Sequence, residues 1–155
     1  MKLERRTVLR SLLTSFVGLA GFKLASEATE LKKEPEIFSI VENEQDEPIF
    51  AGSTRFGNLV FIAGTGADAA SVHDIRKDTD FVLKKLEGRL LEAGSSMNKV
   101  LKVIVYLDDL KDFEGMNEVY RGRFGKKIPV RSTVAVAKGG IPGNSIIEID
   151  CIAYV

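Results

Sequence analysis

The spacing of apolar residues changes repeatedly between helix and strand periods along the chain, and this pattern constrains the fold more than any other feature. In residues 75–93, apolar or small side chains recur at steps of three and four, which predicts an amphipathic helix that ends at Gly94. A second helix is predicted after Asp109, which can cap it, and Gly125 is expected to end it. Between the helices, Val100–Leu107 is β-branched and mostly apolar, as is typical of a central strand.

Each predicted helix has one apolar side, which we expect to face a sheet. The residues on these sides are Ile75, Thr79, Val82, Leu83, Leu86, Leu90 and Ala93 in the first helix, and Leu110, Phe113, Met116, Tyr120 and Phe124 in the second. Charged residues fill the other side of the first helix: Lys84, Lys85, Glu87, Arg89 and Glu92. Gly88 interrupts this helix at a cost of about 1 kcal/mol relative to alanine, so we expect it to mark close packing on the sheet.

Further strands are predicted on both sides of this central unit. Ile49–Phe56 and Leu59–Ala63 are expected to pair as a hairpin across the turn at Gly57-Asn58. Near the C-terminus, Ser132–Ala137 is expected to form a buried strand and Ile146–Val155 an alternating strand, and the two are expected to pair. The order β-β-α-β-α-β-β predicts an α+β fold, a mixed sheet with two helices on one face. The other face then needs a cover, which favours self-association.

The composition excludes several classes of protein. A length of 155 residues suits one domain, and 22 basic against 22 acidic side chains with no basic stripe argue against a nucleic-acid partner. No apolar run approaches the roughly 20 residues that a membrane-spanning helix needs. Cys151 is the only cysteine and His73 the only histidine, so an intrachain disulfide and a Cys/His zinc site of the usual kind are excluded. We expect His73 to be a solvated or capping residue in a loop before the first helix.

The N-terminal segment has the layout of an export signal. Residues 1–28 combine a charged start, a weakly apolar middle and a small-residue end, and Arg5-Arg6 with the following residues resembles a twin-arginine signal. This predicts an exported, periplasmic protein, and the alternative is an amphipathic helix that stays on the chain. We interpret the charge-rich residues 29–46 as a tether that also allows a short strand at Ile37–Val41, and residues 47–155 as the folded domain.

Two charged residues interrupt otherwise apolar strands: Arg131 and Glu148. If their strands pair as a hairpin, the two side chains fall near opposite ends of it. They would then meet only across a subunit boundary or through a shift in register. The residue pattern alone also allows two half-exposed strand charges, one of them bridged to Asp150 or Lys138.

Four segments, taken together, resemble the RidA/YjgF family. They are "RFGNLVFIAGTGA", "VLKVIVYLDDLKDFEGMNEVY", "IPVRSTVAVA" and "IIEIDCIAYV", and they occur in order and with similar spacing over about Ile49–Val155. The resemblance implies a chorismate mutase-like fold and a homotrimer whose sheets pack into a central barrel, with ligand sites in clefts between subunits. It also implies hydrolysis of enamines and imines, such as 2-aminoacrylate, to 2-keto acids and ammonia, with no metal or organic cofactor.

The resemblance also implies roles for individual residues. Arg131 would bind the substrate carboxylate, for which a guanidinium is well matched, and Glu148 would position or activate the attacking water. Thr133 stands where the family usually has Cys or Ser. The remaining residues expected to contact the substrate are Gly64, through its backbone, and Phe50, Thr65 and Asn117.

The chain departs from the family pattern at two of these positions. Phe50 replaces a tyrosine that closes the pocket, and Thr65 replaces a glutamine. These departures predict a changed substrate and leave two alternatives open. One is a non-catalytic trimer that binds small carboxylates or acts as a stress-protective interaction protein. The other is a ribonuclease, which the absence of a basic face disfavours.

Overall fold

Six strands form one mixed sheet in the computed structural model, which describes residues 34–40 and 48–155 of the chain. The strands are β1 (Glu36–Ile40), β2 (Ala51–Phe56), β3 (Leu59–Gly66), β4 (Val100–Leu107), β5 (Val130–Ala135) and β6 (Ile147–Tyr154), and the α-helices of the described residues are α1 (Ile75–Glu92) and α2 (Phe113–Tyr120). The order across the sheet is β1-β2-β3-β6-β4-β5. Neighbouring strands are antiparallel except β4 and β5, which are parallel. The predicted α+β class is confirmed.

Helix α1 forms as its sequence pattern predicts. The Asp74 side chain caps its first turn by accepting hydrogen bonds from the backbone N–H groups of Arg76 and Lys77, and Gly94 follows its end at φ +78°. All seven residues predicted to face the sheet from α1 are buried. Six of them, all except Thr79, join one continuous core with inward-facing residues of the sheet, which are Val60, Ile62, Val100, Val103, Val105, Leu107, Ile147, Ile149, Cys151 and Ala153.

The strand alternation predicted near the C-terminus is confirmed. Along β6, buried residues that start at Ile147 alternate with half-buried residues that start at Glu148, so the two sets occupy opposite faces of the sheet. The β2–β3 hairpin is confirmed as well, with Phe56 paired to Leu59 and Gly57 at φ +60° in the turn. We refer below to the face that carries Glu148 as the open face, since the helices pack on the other one.

The predicted pairing of β5 with β6 is wrong. Strand β6 lies between β3 and β4 and pairs with both, whereas β5 lies at the sheet edge beside β4. Helix α2 causes this arrangement because it carries the chain across one face and returns it parallel to β4. The expectation that this strand is buried is also wrong within one chain, since Val134, Ala135 and Ala137 are exposed, Val134 with an exposed fraction of 45%.

Helix α2 is shorter than predicted at both ends. Asp109 does cap, but the turn that it caps is a 3-10 turn at Leu110–Asp112, where Leu110 is exposed rather than inward-facing. The helix ends at Tyr120, and Gly122 at φ +79° redirects the chain before the predicted stop at Gly125. The remaining predicted inner residues of this segment are in place: Met116, Tyr120 and Phe124 are buried, and Phe113 packs against the core.

Two helical glycines provide a matched test of packing. A Cβ at Gly88 would meet nothing within 4 Å, so the expectation of close packing there is wrong, whereas a Cβ at Gly115 would lie 2.6 Å from Cγ2 of Ile75. Gly88→Ala should therefore raise the free energy of unfolding by about 1 kcal/mol, through helix propensity alone. Gly115→Ala should lower it by about 1–3 kcal/mol, because the added methyl overpacks the contact between the helices.

Urea unfolding at one fixed protein concentration measures both changes. Equal effects of the two substitutions would contradict the packing described above, since their helix propensities are the same.

The predictions for the N-terminal segment are tested only in small part. The export signal at residues 1–28 lies outside the described residues and stays a prediction. Strand β1 pairs with β2 where the sequence indicated a short strand near Ile37–Val41. No helix in residues 34–40 and 48–155 is long and apolar enough to cross a membrane.

Candidate functional site

Arg131 lies on the helix-facing side of β5, where helix α2 contacts its guanidinium. Its register partner is Val103, whose side chain is buried under the helices. The guanidinium carbon lies 4.6 Å from the ring centroid of Tyr120 and 5.7 Å from that of Phe113, and Nη1 lies 3.8 Å from the sulfur of Met116. Within the described residues no carboxylate pairs with Arg131. Aromatic faces hold this cation in place, and apart from the weak hydrogen bond to the Met116 sulfur its N–H donors are available for an anion.

A cavity of about 320 Å³ lies beside Tyr120, the residue whose ring contacts this arginine. It lies at the C-terminal end of α2, and Asn117, Tyr120 and Ile128 are among the residues that line it. Two buried hydroxyls nearby, those of Tyr120 and Thr133, have no hydrogen-bond partner among the described residues. Burial raises the pKa of Tyr120 to about 12, so its phenol stays protonated at neutral pH. Unsatisfied buried hydroxyls are uncommon and point to a missing partner, such as a ligand or a water.

Glu148 lies on the open face, opposite Arg131. Its register partners are Tyr106 in β4 and Gly66 in β3. Burial raises the pKa of Glu148, and the like charges of Asp68 and Asp150 raise it further. Among the described residues the Glu148 carboxylate has no hydrogen-bond or ion-pair partner. A carboxylate of this kind binds protons more readily than an exposed one, as an acid or base in catalysis requires.

The loop end of β3 brings Gly64 against this carboxylate. A Cβ at Gly64 would lie 2.6 Å from Cδ of Glu148, so only glycine allows the observed approach. The next residue, Thr65, points to the other face, where it is 1% exposed and its hydroxyl accepts a hydrogen bond of 2.7 Å from Nη1 of Arg89. The Gly64 backbone is therefore next to Glu148, and the Thr65 side chain is not.

Comparison with known proteins identifies the family of the chain. The model of the family described as endoribonuclease L-PSP matches residues 47–155, which is most of the chain. The chain belongs to this family, also known as RidA/YjgF. A RutC family protein of Pyrococcus abyssi is 39% identical over 112 residues, which cover 68% of this chain and 85% of the relative.

Two further relatives cover more of the chain. Reactive Intermediate Deaminase A of Arabidopsis thaliana chloroplasts is 30% identical over 159 residues, which cover 90% of this chain and 80% of the relative. The crystal structure of a YjgF family member from Mycobacterium tuberculosis superposes with a TM-score of 0.68 at 30% identity, covering 79% of this chain and all of that one. The fold is thus the one found in solved RidA/YjgF structures.

The structure places the predicted site residues of this RidA/YjgF chain in two groups. Arg131, Thr133 and Asn117 lie near α2, and Gly64 and Glu148 lie on the open face. One chain does not bring the two groups together. From the sequence we expected Arg131 and Glu148 to lie at opposite ends of a hairpin and to meet only across a subunit boundary or through a shift in register. In the structure they are apart for a different reason, because they lie on opposite faces of the sheet.

The other two predicted contact residues belong to neither group. Phe50 lies just before β2 with 51% of its side chain exposed. The hydroxyl of Thr65 is engaged with Arg89, as described above. Substrate contact by these two residues stays a prediction.

The sequence patterns did not reveal the roles of Tyr120, which contacts Arg131, and of Arg89, which binds Thr65. Both were assigned from helix periodicity alone, Tyr120 to the core and Arg89 to the polar side of α1. A phenol in an apolar helix side normally needs a polar partner, which was the available signal for Tyr120. For metals the described residues offer no suitable cluster of three or more His, Cys, Asp or Glu side chains.

Proposed function

We propose that this RidA/YjgF protein hydrolyses enamines and imines of the 2-aminoacrylate type to 2-keto acids and ammonia. The observation that carries the proposal is the environment of Arg131. Its guanidinium is held by two aromatic rings, has no carboxylate partner in the described residues, and lies two residues from the unpartnered hydroxyl of Thr133. A planar cation with unused donors next to an unused hydroxyl suits a small 2-substituted carboxylate.

The reaction needs few protein groups. A proton added to the terminal carbon converts the enamine into an imine, and water then adds to the carbon of the C=N bond. The C–N bond breaks, the nitrogen leaves as ammonia, and the oxygen of water remains in the keto acid. Arg131 would hold the carboxylate, and Glu148, with its raised pKa, would take a proton from the attacking water.

The proposed reaction needs Glu148 next to Arg131, and one chain alone does not bring these two residues together. The open face carries apolar side chains that remain uncovered, and the edge strand β5 adds Val130 and Val134 to them. We propose a homotrimer in which the open face of each subunit packs against the β5 edge of the next, so that Glu148 of one subunit approaches Arg131 of another across that edge. Closed symmetry covers such a face on every copy equally.

A charge on the open face should disrupt this trimer. Phe61 is 41% exposed in the single chain and is paired with Ile152 in β6, so Phe61→Asp would bury a carboxylate among apolar side chains. We expect size-exclusion chromatography with light scattering to give three times the chain mass for the native protein and a smaller mass for Phe61→Asp. Leu91→Asp, on the outer side of α1, is the matched control and should leave the mass unchanged. A native monomer would contradict the proposed assembly.

The activity itself is tested with freshly generated substrate. A dehydratase that releases 2-aminoacrylate, or an amino-acid oxidase that releases imines, supplies the unstable compound in the presence of the purified protein. We expect keto acid to form faster than by spontaneous hydrolysis, in proportion to the protein added. No acceleration with any of several imines would rule the proposal out.

A non-catalytic carboxylate binder is the second candidate. Two observations favour it: Phe50 has no hydroxyl, and the hydroxyl of Thr65 is turned away from the open face toward Arg89. Calorimetry with a 2-keto acid distinguishes the candidates, because this one predicts binding that depends on Arg131 without any turnover.

A further inference from the structure

Strand β3 contains a bulge that decides which way Gly64 and Thr65 point. Ile62 pairs with Cys151 and Thr65 pairs with Ile149, so three steps along β3 match two steps along β6. In a regular strand, residues three apart face opposite sides, but here Ile62 and Thr65 are both buried on the helix side. The extra residue leaves the Gly64 backbone under the Glu148 carboxylate.

A short chain of hydrogen bonds ties this bulge to helix α1. Nη1 of Arg89 donates to the Thr65 hydroxyl at 2.7 Å, and that hydroxyl donates to the carbonyl of Ala63 at 3.0 Å. Ala63 and Thr65 are the two neighbours of Gly64, so both sides of the glycine are held. Thr65 is 1% exposed, and water does not readily replace either bond.

Arg89 is an unusual residue to hold the β3 bulge in place. It is half-buried, and burial lowers its pKa more than the nearby charges of Asp68 and Glu92 raise it, yet among the described residues its guanidinium makes no ion pair. A desolvated cation that donates to a neutral hydroxyl is poorly compensated. Lys85, one turn earlier on α1, contacts the same strand end by donating to the Gly66 carbonyl at 3.2 Å and pairing with Asp68 at 2.6 Å. Two basic side chains of α1 therefore fix the segment that carries Gly64.

We propose that Arg89 and Thr65 are positioning residues, which hold the β3 bulge so that the Gly64 backbone lies against the Glu148 carboxylate. The inference rests on the proposed function, in which Glu148 handles the proton of the attacking water. It also gives Thr65 a different role from substrate contact. The threonine that stands in place of the family's usual glutamine works as a pair with Arg89, on the face away from the substrate.

The test compares four variants of the full chain. Thr65→Val keeps the shape and removes the hydroxyl, Arg89→Met keeps the length and removes the guanidinium, and the double variant removes both. Thr65→Ser is the matched control because it keeps the hydroxyl. We expect the first two to lower kcat about tenfold with KM changed less than about twofold, since Arg131 is untouched. The double variant should have a kcat no lower than that of either single variant, because all three variants remove the same Arg89–Thr65 hydrogen bond.

A second readout does not depend on activity. If the bulge relaxes, water reaches Glu148 and its pKa should fall toward the ordinary range of a glutamate, while Asp68 and Asp150 remain as its charged neighbours. Carbon NMR of the Glu148 carboxyl measures this pKa in each folded variant. A merely destabilising substitution would leave it unchanged, and Thr65→Val alone suffices if Arg89→Met does not fold.

The two hypotheses fail in different ways. If the native protein does not turn over any imine, the proposed function fails, and the Glu148 pKa still tests the positioning role. If Thr65→Val keeps both the native kcat and the native Glu148 pKa, the positioning role is overturned even though the protein is a deaminase.

Discussion

Arg131→Ala should abolish most of the deaminase activity and the binding of 2-keto acids. Two charge-assisted hydrogen bonds to a carboxylate contribute roughly 1.5–3 kcal/mol each, so their loss should lower kcat/KM by roughly 10²–10⁴-fold. The folded structure should survive, because the guanidinium makes no ion pair in the described residues and its contacts are to the rings of Tyr120 and Phe113 and the sulfur of Met116. Steady-state kinetics and calorimetry with a 2-keto acid measure the two losses.

Two control variants distinguish carboxylate binding by the planar guanidinium of Arg131 from a general effect of positive charge. Arg131→Lys keeps the positive charge but loses the planar fork, so we expect it to recover only part of the binding. Arg76→Ala removes an exposed arginine whose partner is Glu118, a surface pair worth about 0–1 kcal/mol, and it should retain native activity. Full activity of Arg131→Ala would contradict the proposed role, and native-like binding by Arg131→Lys would show that charge alone suffices.

The local parts of the fold could be predicted because local patterns determine them. The burial stripe of α1, the cap at Asp74, the Gly57-Asn58 turn and the alternation of β6 each depend on residues close together in the chain. The place of β6 in the sheet depends on partners about 40 and 90 residues away, for which periodicity carries no signal. Adjacency in sequence favoured a β5–β6 hairpin, and the crossover through α2 excluded it.

In the candidate site, too, the features set by local sequence were predictable and those set by distant partners were not. Arg131 and Glu148 were found because a charge inside an apolar strand is unusual. Their faces were not predictable, since the face of Arg131 is set by its register with Val103 across a parallel pair. Arg89 was missed because its position on α1 is polar by periodicity, and only the β3 bulge brings Thr65 within its reach. The sequence showed that Thr65 replaces the glutamine of the family pattern, but it did not show that Arg89 is the hydrogen-bond partner of Thr65.

Glu148→Gln should lower kcat by roughly 10²–10⁴-fold, the usual contribution of a general acid or base. KM for the substrate should change little, because Arg131 and its aromatic support lie on the other face of the sheet and are unaffected. The opposite split, with KM raised and kcat kept, would make Glu148 a binding residue and not a catalytic one. Single-turnover measurements with excess protein report the chemical step directly.

The pH dependence should identify the same carboxyl. Glu148 must be ionised to accept a proton, and burial with Asp68 and Asp150 raises its pKa, so kcat should fall on the acid side at a pH above the ordinary glutamate range. Asp150→Asn removes one like charge and should move this acid limb to lower pH. An acid limb that Asp150→Asn leaves in place would assign the titration to another group.

As pH rises through the pKa of Glu148, the free energy of unfolding should fall while kcat rises. Because the pKa of Glu148 is raised in the folded state, the folded chain binds this proton more tightly than the unfolded one. Stability therefore falls as pH rises from the ordinary glutamate range through the raised pKa, and the penalty is complete above it. Glu148→Gln should then stabilise the protein at neutral pH and give no such gain at low pH, as urea unfolding at both values measures. A carboxylate that weakens the fold at neutral pH and has no partner in the described residues is best explained by the reaction it serves.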